Sequence, residues 1–470
     1  MTTDVLIVGA GPTGLALGID LARRGVTALV LEKADGLFPG SRGKGIQPRT
    51  MEVFDDLGVV DAIRAAGGPY PTQLIWRDGE PAGEHQMFDP AEAGEDTPYH
   101  EPWMVPQWRT QEILADRLAE LGGRVAFGHE VTGLEQDADG VTLLLTDGTT
   151  LRARYAVAAD GGRSAVRRAL GVAMTGETVD PHPMLVADVR ITGLGRDHWH
   201  VFPPRGDGDD FLALCPLAGT DDFQVSARFP VGAGVDLSAD GVRAVIADRS
   251  HLPAEAVTEV RWASDFRPRA ALADRFRDGR VLLAGDAAHV HSPAGGQGLN
   301  TSVQDAYNLG WKLAAVLGGE APDALLDTYE QERRPVAASV LGLSTGVHHG
   351  RVRRGAATRQ LGLGYRDSTL TLETRRDPAG PRAGDRAPDA VVDGVRLFDA
   401  FRGPHWTLLA LDVPAPGLAG TPVRVVTGAA PTAYGPGLLL VRPDGYVAWA
   451  GDTGEGLLAH AAGAGLSGGR

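Results

Sequence analysis

An α/β fold is predicted: a parallel sheet flanked by helices, interrupted by a β-rich insert and followed by a small further α/β unit. Three observations predict it. The N-terminal segment VLIVGAGPTGLALGIDLARRGVTALVLEK runs strand, glycine loop, helix, strand. Residues 281–312, VLLAGDAAHVHSPAGGQGLNTSVQDAYNLGWK, repeat strand, glycine-rich loop and helix. Between them, from about 175 to 270, the texture changes to short strand-like runs broken by Gly/Asp/Pro clusters.

Taken in order, Val5–Val8 is a short apolar run of the kind buried in a parallel sheet. Gly9, Gly11 and Gly14 follow at GxGxxG spacing, and an apolar, helix-compatible segment extends to about Arg24. Gly9 permits the tight turn, Gly11 the close approach of a pyrophosphate, and Gly14 the packing of helix on strand. The helix N-terminus then offers free N–H groups to phosphates. In a chain with 64 glycines the motif alone competes with an ordinary tight turn. The next strand, Thr27–Leu31, ends in Glu32, an acid placed to bind a ribose diol and to disfavour a 2′-phosphate. That context makes the first unit a dinucleotide site.

Thr110–Leu121 reads as a helix and Val125–Leu134 as a period-2 strand, with a hairpin of Val141–Thr146 and Thr150–Ala158 turning at Asp147-Gly148. The insert has runs Leu185–Ile191, His198–Phe202, Phe211–Pro216 and Gln224–Phe229, and a loop at Pro203–Asp210. A basic, irregular connector spans 351–386, and the last unit ends in the hairpin pattern LLLVRPDGYVAWAG. With 60 acidic and 45 basic residues the net charge is −15, which argues against nucleic acid or an anionic membrane as partner. No signal peptide is read at the N-terminus, and no apolar run reaches the ~18 residues of a membrane span. The single cysteine, Cys215, excludes an intramolecular disulfide or a CxxC site and reads as a buried strand residue in a cytoplasmic protein.

The second glycine motif names the cofactor. Val281–Ala284 delivers Gly285-Asp286 to a strand end, where an Asp accepts hydrogen bonds from a polyol; a nicotinamide nucleotide has no ribityl chain. Pro293, Gly295, Gly296 and Gly298 then lead to Leu299-Asn300 and a second helix N-terminus, suited to the partly negative edge of a flavin. The competing reading is a structural loop and cap. His289 and His291 lack further partners at metal-ligand spacing and read as loop or strand-end residues.

On these residues the chain resembles the single-component FAD-dependent aromatic monooxygenases, the p-hydroxybenzoate hydroxylase-like class, and within it the polyketide hydroxylase and rifampicin monooxygenase subgroup. Besides GxGxxG, the DGxxSxVR motif stands at Asp160, Gly161, Ser164, Val166 and Arg167. The GD motif continues from Gly285-Asp286 through Asp305 and 308–312. The resemblance covers roughly 1–345. It implies a Rossmann-like FAD-binding domain of glutathione-reductase type over 1–174 and 271–350, and a β-sheet substrate domain over 175–270. It implies a thioredoxin-like C-terminal domain over 387–470, which has no cysteine for a redox role and is left with a structural or oligomerisation role.

Carried over by residue, the resemblance implies that Gly9, Gly11, Thr13 and Gly14 meet the pyrophosphate. Glu32 and Lys33 hold the adenosine ribose and its surroundings, and Val131 the adenine side. Arg42 sits near pyrophosphate or flavin, Gln107 and Asp286 bind the ribityl chain, and Asp160 belongs to the same cofactor site. Pro293, Gly296, Gly298, Leu299 and Asn300 line the isoalloxazine. Arg42 and Pro293 are the candidates closest to catalysis. Two departures are Gln111, where relatives often have Glu, and Lys44, where they have an apolar residue. The preferred reading of Lys44 is a solvated loop lysine; the other is a positive charge near the substrate or nicotinamide entrance.

The implied reaction consumes NADPH or NADH and O₂ and transfers one oxygen from a flavin C4a-hydroperoxide to an electron-rich aromatic ring. Hydroxylation is expected ahead of Baeyer–Villiger insertion or epoxidation, or of a reductase without oxygen transfer. A protein base would raise ring nucleophilicity; His200, Tyr70 and Arg205 are candidates. The substrate is expected against the insert and the loop around 70–105. There Trp76, Trp103 and Trp108 either stack on a flat ligand or serve as core and interface anchors. The expected assembly is a monomer or homodimer.

Overall fold

The computed structural model describes residues 3–206, 208, 210–418, 421–463 and 466. Residues 207 and 209 of the expected 203–210 loop, and 419, 420, 464, 465 and 467–470 of the C-terminal unit, lie outside the described residues.

The main sheet has eight strands. Its parallel core runs Val281–Leu283, Thr150–Ala158, Thr3–Val8, Ala28–Leu31, Val125–Ala126, in register Leu283↔Ala158↔Val8↔Leu31↔Ala126. Because these strands are parallel and end level, Gly9, Glu32, Asp160 and Gly285 all leave the sheet at one edge. That edge is where open α/β sheets bind ligands. Helix Pro12–Ala22 covers one side and packs on helix Gly298–Leu317. A Cβ on Gly310 would lie 2.1 Å from Asp20 Oδ2, so glycine sets the closeness of that crossing.

The expected strand Val125–Leu134 divides in two. Val125–Ala126 joins the parallel edge, whereas Val131–Gln136 pairs antiparallel with Val141–Leu145. Gly128, at φ +71°, turns the chain between them and donates to Ala34 O. The hairpin of Val141–Leu145 and Thr150–Ala158 forms as read.

The insert is a seven-stranded sheet backed by helix Ala239–Arg249. Residues at every second position (Leu185, Ala187, Val189; Leu212, Leu214; Phe223, Val225) pack on Val242 and Ile246 in a separate core. Two of its strands, Gln73–Arg77 and Glu80–His85, come from the segment expected to be a loop, and Gln73–Arg77 lies parallel to Trp199–Phe202. Strands Met174–Thr178, Arg269–Ala273 and His289–Val290 form a small sheet where the insert leaves and rejoins the main domain.

The C-terminal unit is a mixed five-stranded sheet with its own core, including Leu397, Leu409, Leu439 and Val441. Its hairpin pairs Gly437–Val441 with Val447–Gly451 as read. The expected connector is drawn into the fold: Leu372–Glu373 adds to this sheet's edge, and Thr358, Gln360 and Tyr365 are buried. Among the described residues no helix is long and apolar enough to cross a membrane.

Candidate active site

The three motif glycines of the first loop have different surroundings. A Cβ on Gly9 (φ +109°) would lie 2.3 Å from Ala159 O, and one on Gly14 would lie 2.0 Å from Gly9 O. A Cβ on Gly11 would meet nothing within 4 Å. Two glycines are therefore required by packing, and the middle one keeps the approach to the helix open. No side chain caps that helix, so its first N–H groups remain for an anion. Glu32 Oε2 accepts from Ala10 N–H (2.9 Å) and Oε1 from Ala34 N–H (3.1 Å), which fixes the acid beside the loop. Lys33 is exposed, and Val131 is buried close by, where His129 N–H donates to Glu32 O.

The DG and GD motifs are tied together. Asp160 Oδ2 accepts from Ala165 N–H (2.7 Å) and Val166 N–H (3.3 Å) and so caps the short helix Ala165–Ala169, while Ser164 caps Arg167 N–H. Asp160 thus holds its turn first; its Oδ1 is buried without a hydrogen-bond partner. Arg167 reaches across to Ala287 O at 2.9 Å. Thr13 Oγ1 would stand 2.6 Å from a Cβ on Gly285 (φ +61°), so the first loop abuts the second. Gly285 N–H donates to Asp305 Oδ2 (3.0 Å). That buried carboxylate also contacts His289 Nε2 (2.5 Å) and Arg333 Nε (2.7 Å). Burial acts to raise the Asp305 pKa, and His289 and Arg333 beside it outweigh that and hold it low. His289 is thereby a strand-end structural residue, as its spacing suggests.

Asp286, just beyond strand Val281–Leu283, is exposed as a residue while its carboxyl is crowded by protein. The enclosure raises its pKa against the pull of His289 and Arg42. Pro293 and Gly296 are exposed on the same side, and a Cβ on Gly298, where the long helix begins, would meet nothing within 4 Å. Gly296 adopts φ +63°. Two convergent phosphate-type loops, an open carboxylate for a polyol and an uncapped helix N-terminus fit FAD.

Two of the expected ligands, Asn300 and Gln107, hold neighbouring segments through their side chains. Asn300 Oδ1 accepts from Gln47 N–H (2.7 Å), and its Nδ2 donates to Gly45 O (2.9 Å) and Gly296 O (2.8 Å). Its side chain is fully occupied in clamping the loop. Gln107 Oε1 accepts from Gly43 N–H and its Nε2 donates to Gln111 Oε1, both at 3.0 Å, so it supports the 42–45 segment. Leu299 packs near Gly43. The former connector supplies further clamps that carry no sequence motif. Gln297 Nε2 donates to Thr358 O (3.0 Å), Gln360 Nε2 to Gln297 Oε1 (2.7 Å), and Arg354 Nε to Ala294 O (2.8 Å).

Opposite the loops lies the face of the insert sheet turned away from its helix, carrying Asp188, Gln224, Cys215, Trp199, Trp262 and Ser264. Arg42 stacks on Phe38 and Trp262, 5.2 and 5.8 Å from their ring centroids, on the side of Asp286. Lys44 is not a solvated loop lysine: its ammonium bonds Gln224 Oε1 and stands 4.4 Å from the Trp199 centroid. Cys215 is a buried strand residue, its thiol pushed up to about 11 by burial.

Two base candidates are misplaced. His200 Nδ1 accepts from Trp76 Nε1–H (3.0 Å) and Nε2 bonds Gly195 O (2.8 Å), on the helix-covered face of the sheet. Arg205 is an exposed residue near Asp210 and Asp248. Tyr70 does reach the cleft side, against Phe88 and Trp199. Of the tryptophans, Trp76 packs in the insert core, Trp103 packs on the main core and Trp108 is half-buried on helix Gln107–Glu120. Trp199, which sequence reasoning passed over, faces the cleft. Period-2 alternation separates it from His200, but not which face meets the cofactor loops.

Known proteins share this arrangement. The FAD binding domain family matches residues 2–344, and the aromatic-ring hydroxylase C-terminal family matches 380–466. A flavin-dependent monooxygenase of Mycobacteroides abscessus is 47% identical over 97% of this chain and 99% of its own. A 12-dehydrotetracycline 5-monooxygenase/anhydrotetracycline 6-monooxygenase of Streptomyces rimosus is 37% identical over 96% of this chain and 95% of its own. The crystal structure of aklavinone-11 hydroxylase with FAD and aklavinone superposes with a TM-score of 0.82 at 31% identity, covering 96% of this chain and 95% of that one. With its two cofactor loops at one sheet edge and its C-terminal unit matched as well, the chain belongs to the FAD-dependent monooxygenases of the aromatic-ring hydroxylase type.

Proposed function

We propose that the protein uses NADPH or NADH and O₂ to insert one oxygen atom into a phenolic or polycyclic aromatic substrate of polyketide or antibiotic type. One observation carries the reading: the loop 293–298 and Asp286 open onto a cleft whose far wall is the polar and aromatic face of the insert sheet. The similarity to hydroxylases of tetracyclic substrates supports the same substrate class. When bound, FAD supplies hydride acceptance and oxygen activation through what the family reaction takes to be its C4a position.

The chain's own residues bind, orient and shield. The uncapped N-terminus of helix Gly298–Leu317 favours negative charge on the flavin edge. Pro293 and Gly296 would present backbone to the ring, and Asp286 would hold the polyol. Arg42, fixed by Phe38 and Trp262, keeps a positive charge at the cleft. The insert sheet excludes water from above. The lone buried cysteine and the absence of a disulfide support a cytoplasmic site of action.

The test is turnover of FAD-loaded protein under ¹⁸O₂ with NADPH, on aklavinone, tetracyclines, rifamycins and simple phenols. The expected result is a product carrying one ¹⁸O, formed with substrate-stimulated NADPH oxidation; its structure separates hydroxylation from ring insertion or epoxidation. NADPH oxidation yielding only peroxide for every compound would point to a reductase.

A further inference from the structure

Lys44 is a cation enclosed in the far wall of the cleft. Its ammonium donates to Gln224 Oε1, and Gln224 in turn donates to Ser41 O, so the acceptor is held from both sides. One such bond leaves two ammonium N–H groups for another acceptor. On the neighbouring strand Asp188 is 1% exposed; neither carboxylate oxygen makes a hydrogen bond of good geometry, and Ser41 is the donor beside it. The rest of the wall is aromatic, and Cys215 and Arg354 also act on the ammonium. Trp199 lies beneath it, Tyr70 is 6.3 Å from Trp199 centroid to centroid, and Phe88 is 5.0 Å from Tyr70.

A purely structural ion pair would not be built this way. Removing two charges from water costs several kcal/mol per ion, offset only by good geometry and further hydrogen bonds. Here the ammonium has one and the carboxylate only the approach of Ser41. Burial lowers the Lys44 pKa, opposed by Cys215 and Asp188 and reinforced by Arg354. Burial also pushes Asp188 up to about 6 against the pull of Ser41 and Lys44. An anionic oxygen on a flat ring lying along Trp199 and Tyr70 would supply the missing acceptor.

We propose that Lys44 is the specificity-determining residue of the substrate site, selecting flat aromatic substrates that carry an acidic phenol or enol oxygen and binding that oxygen ionised. The inference rests on the cleft assigned above as the substrate site. On binding, the O–H bond breaks, its electron pair stays on oxygen and the proton passes to solvent. The ring that meets the flavin is then the more nucleophilic form. Asp188 is a positioning residue that keeps the ammonium at Trp199.

The test compares alizarin (1,2-dihydroxyanthraquinone) with its dimethyl ether on FAD-loaded protein, by absorbance titration across pH. Ionised alizarin is read to the red of the flavin band. The expected result is tighter binding of alizarin than of the ether, with the bound phenol's pKa lowered by about one unit or more. Lys44→Met abolishes that shift and weakens alizarin about 10-fold, leaving the ether within about 2-fold, and Lys44→Arg retains most of the preference. FAD content of Lys44→Met stays that of the unsubstituted protein, and its Tm falls by no more than a few degrees because Asp188, near its own pKa, takes up a proton. Equal loss for alizarin and ether, an unshifted bound pKa, or no binding of either ligand overturns the proposal. So does a collapse of Tm and FAD content in Lys44→Met, which would mark Lys44 as structural. Failure of the oxygen-transfer reading is distinct: it shows as absence of ¹⁸O in product while the bound-phenol shift persists.

Discussion

Gly11 and Gly14 share one motif but answer to different forces. Gly14→Ala drives a Cβ into backbone, Gly9 O at 2.0 Å, where no flexible side chain can yield. We expect it to cost several kcal/mol and to abolish FAD retention. Gly11→Ala enters open space, so its Tm without FAD should stay within a few degrees while FAD affinity falls about 10-fold or more. Melts with and without FAD separate the two. His291 offers a pH test. Burial, reinforced by His289, lowers its pKa from 6.5 to about 3. The native state then binds fewer protons than the unfolded chain between those values, so stability falls as pH drops through that window. From pH 7 to 5 the protein should lose roughly 2 kcal/mol more in urea unfolding than His291→Met does. Equal pH slopes in the two proteins would refute the assignment.

At the scale of elements, the loop 293–298 has little structure of its own: one turn, one left-handed glycine and two open positions. Its shape is borrowed from its neighbours. Asn300 ties it to Gly45 and Gln47, and Gln297 ties it to Thr358 and Gln360. Asn300→Ala removes one buried and two partly buried hydrogen bonds and leaves Gln47 N–H without its acceptor, a loss of about 2–4 kcal/mol. Because the clamp joins the loop to the 42–47 segment, we also expect weaker FAD binding and a raised KM for substrate. An unchanged FAD affinity would show that the loop holds its shape without the clamp. Alternation along the insert strands works on the same scale: it sends His200 to the helix side and Trp199 to the cleft, so neighbours in sequence serve different layers.

Across the whole molecule, the C-terminal unit is joined to the cofactor helix by a buried polar network. Glu332 receives Lys312 Nζ (2.8 Å), Asn308 Nδ2 (2.7 Å) and both terminal nitrogens of Arg442 (2.6 and 3.0 Å). Asp444 receives Arg442 Nε (2.9 Å) and Trp311 Nε1–H (3.1 Å). Two cations and two carboxylates balance, and burial, reinforced by Arg442, lowers the Lys312 pKa to about 8 against the pull of Glu332 and Asp444. Glu332→Gln leaves excess positive charge in a dry interface and should cost about 3–5 kcal/mol. Since Lys312 and Trp311 stand on the helix whose N-terminus opens at the cleft, FAD should dissociate as this interface fails. Coincident loss of flavin and C-terminal packing on heating is the expected signature; flavin retained after the C-terminal unit unfolds would contradict it.

Much of this was legible from residues alone. The glycine spacings, Glu32, the DG and GD motifs and the order of strands determined a FAD-binding α/β domain, because each depends on local backbone geometry that a short stretch of chain specifies by itself. The hairpins at Asp147-Gly148 and Asp444-Gly445 followed for the same reason. Only the tertiary structure decided which partners the motif residues find: that Asn300 and Gln107 clamp neighbouring segments, and that Lys44 is enclosed by a strand 180 residues away. It also decided that the irregular 351–386 segment braces the flavin loop. Those roles arise from contacts between distant segments. Hydrogen-bond partners, burial and the choice of sheet face are set by packing of whole layers, and no local pattern encodes them.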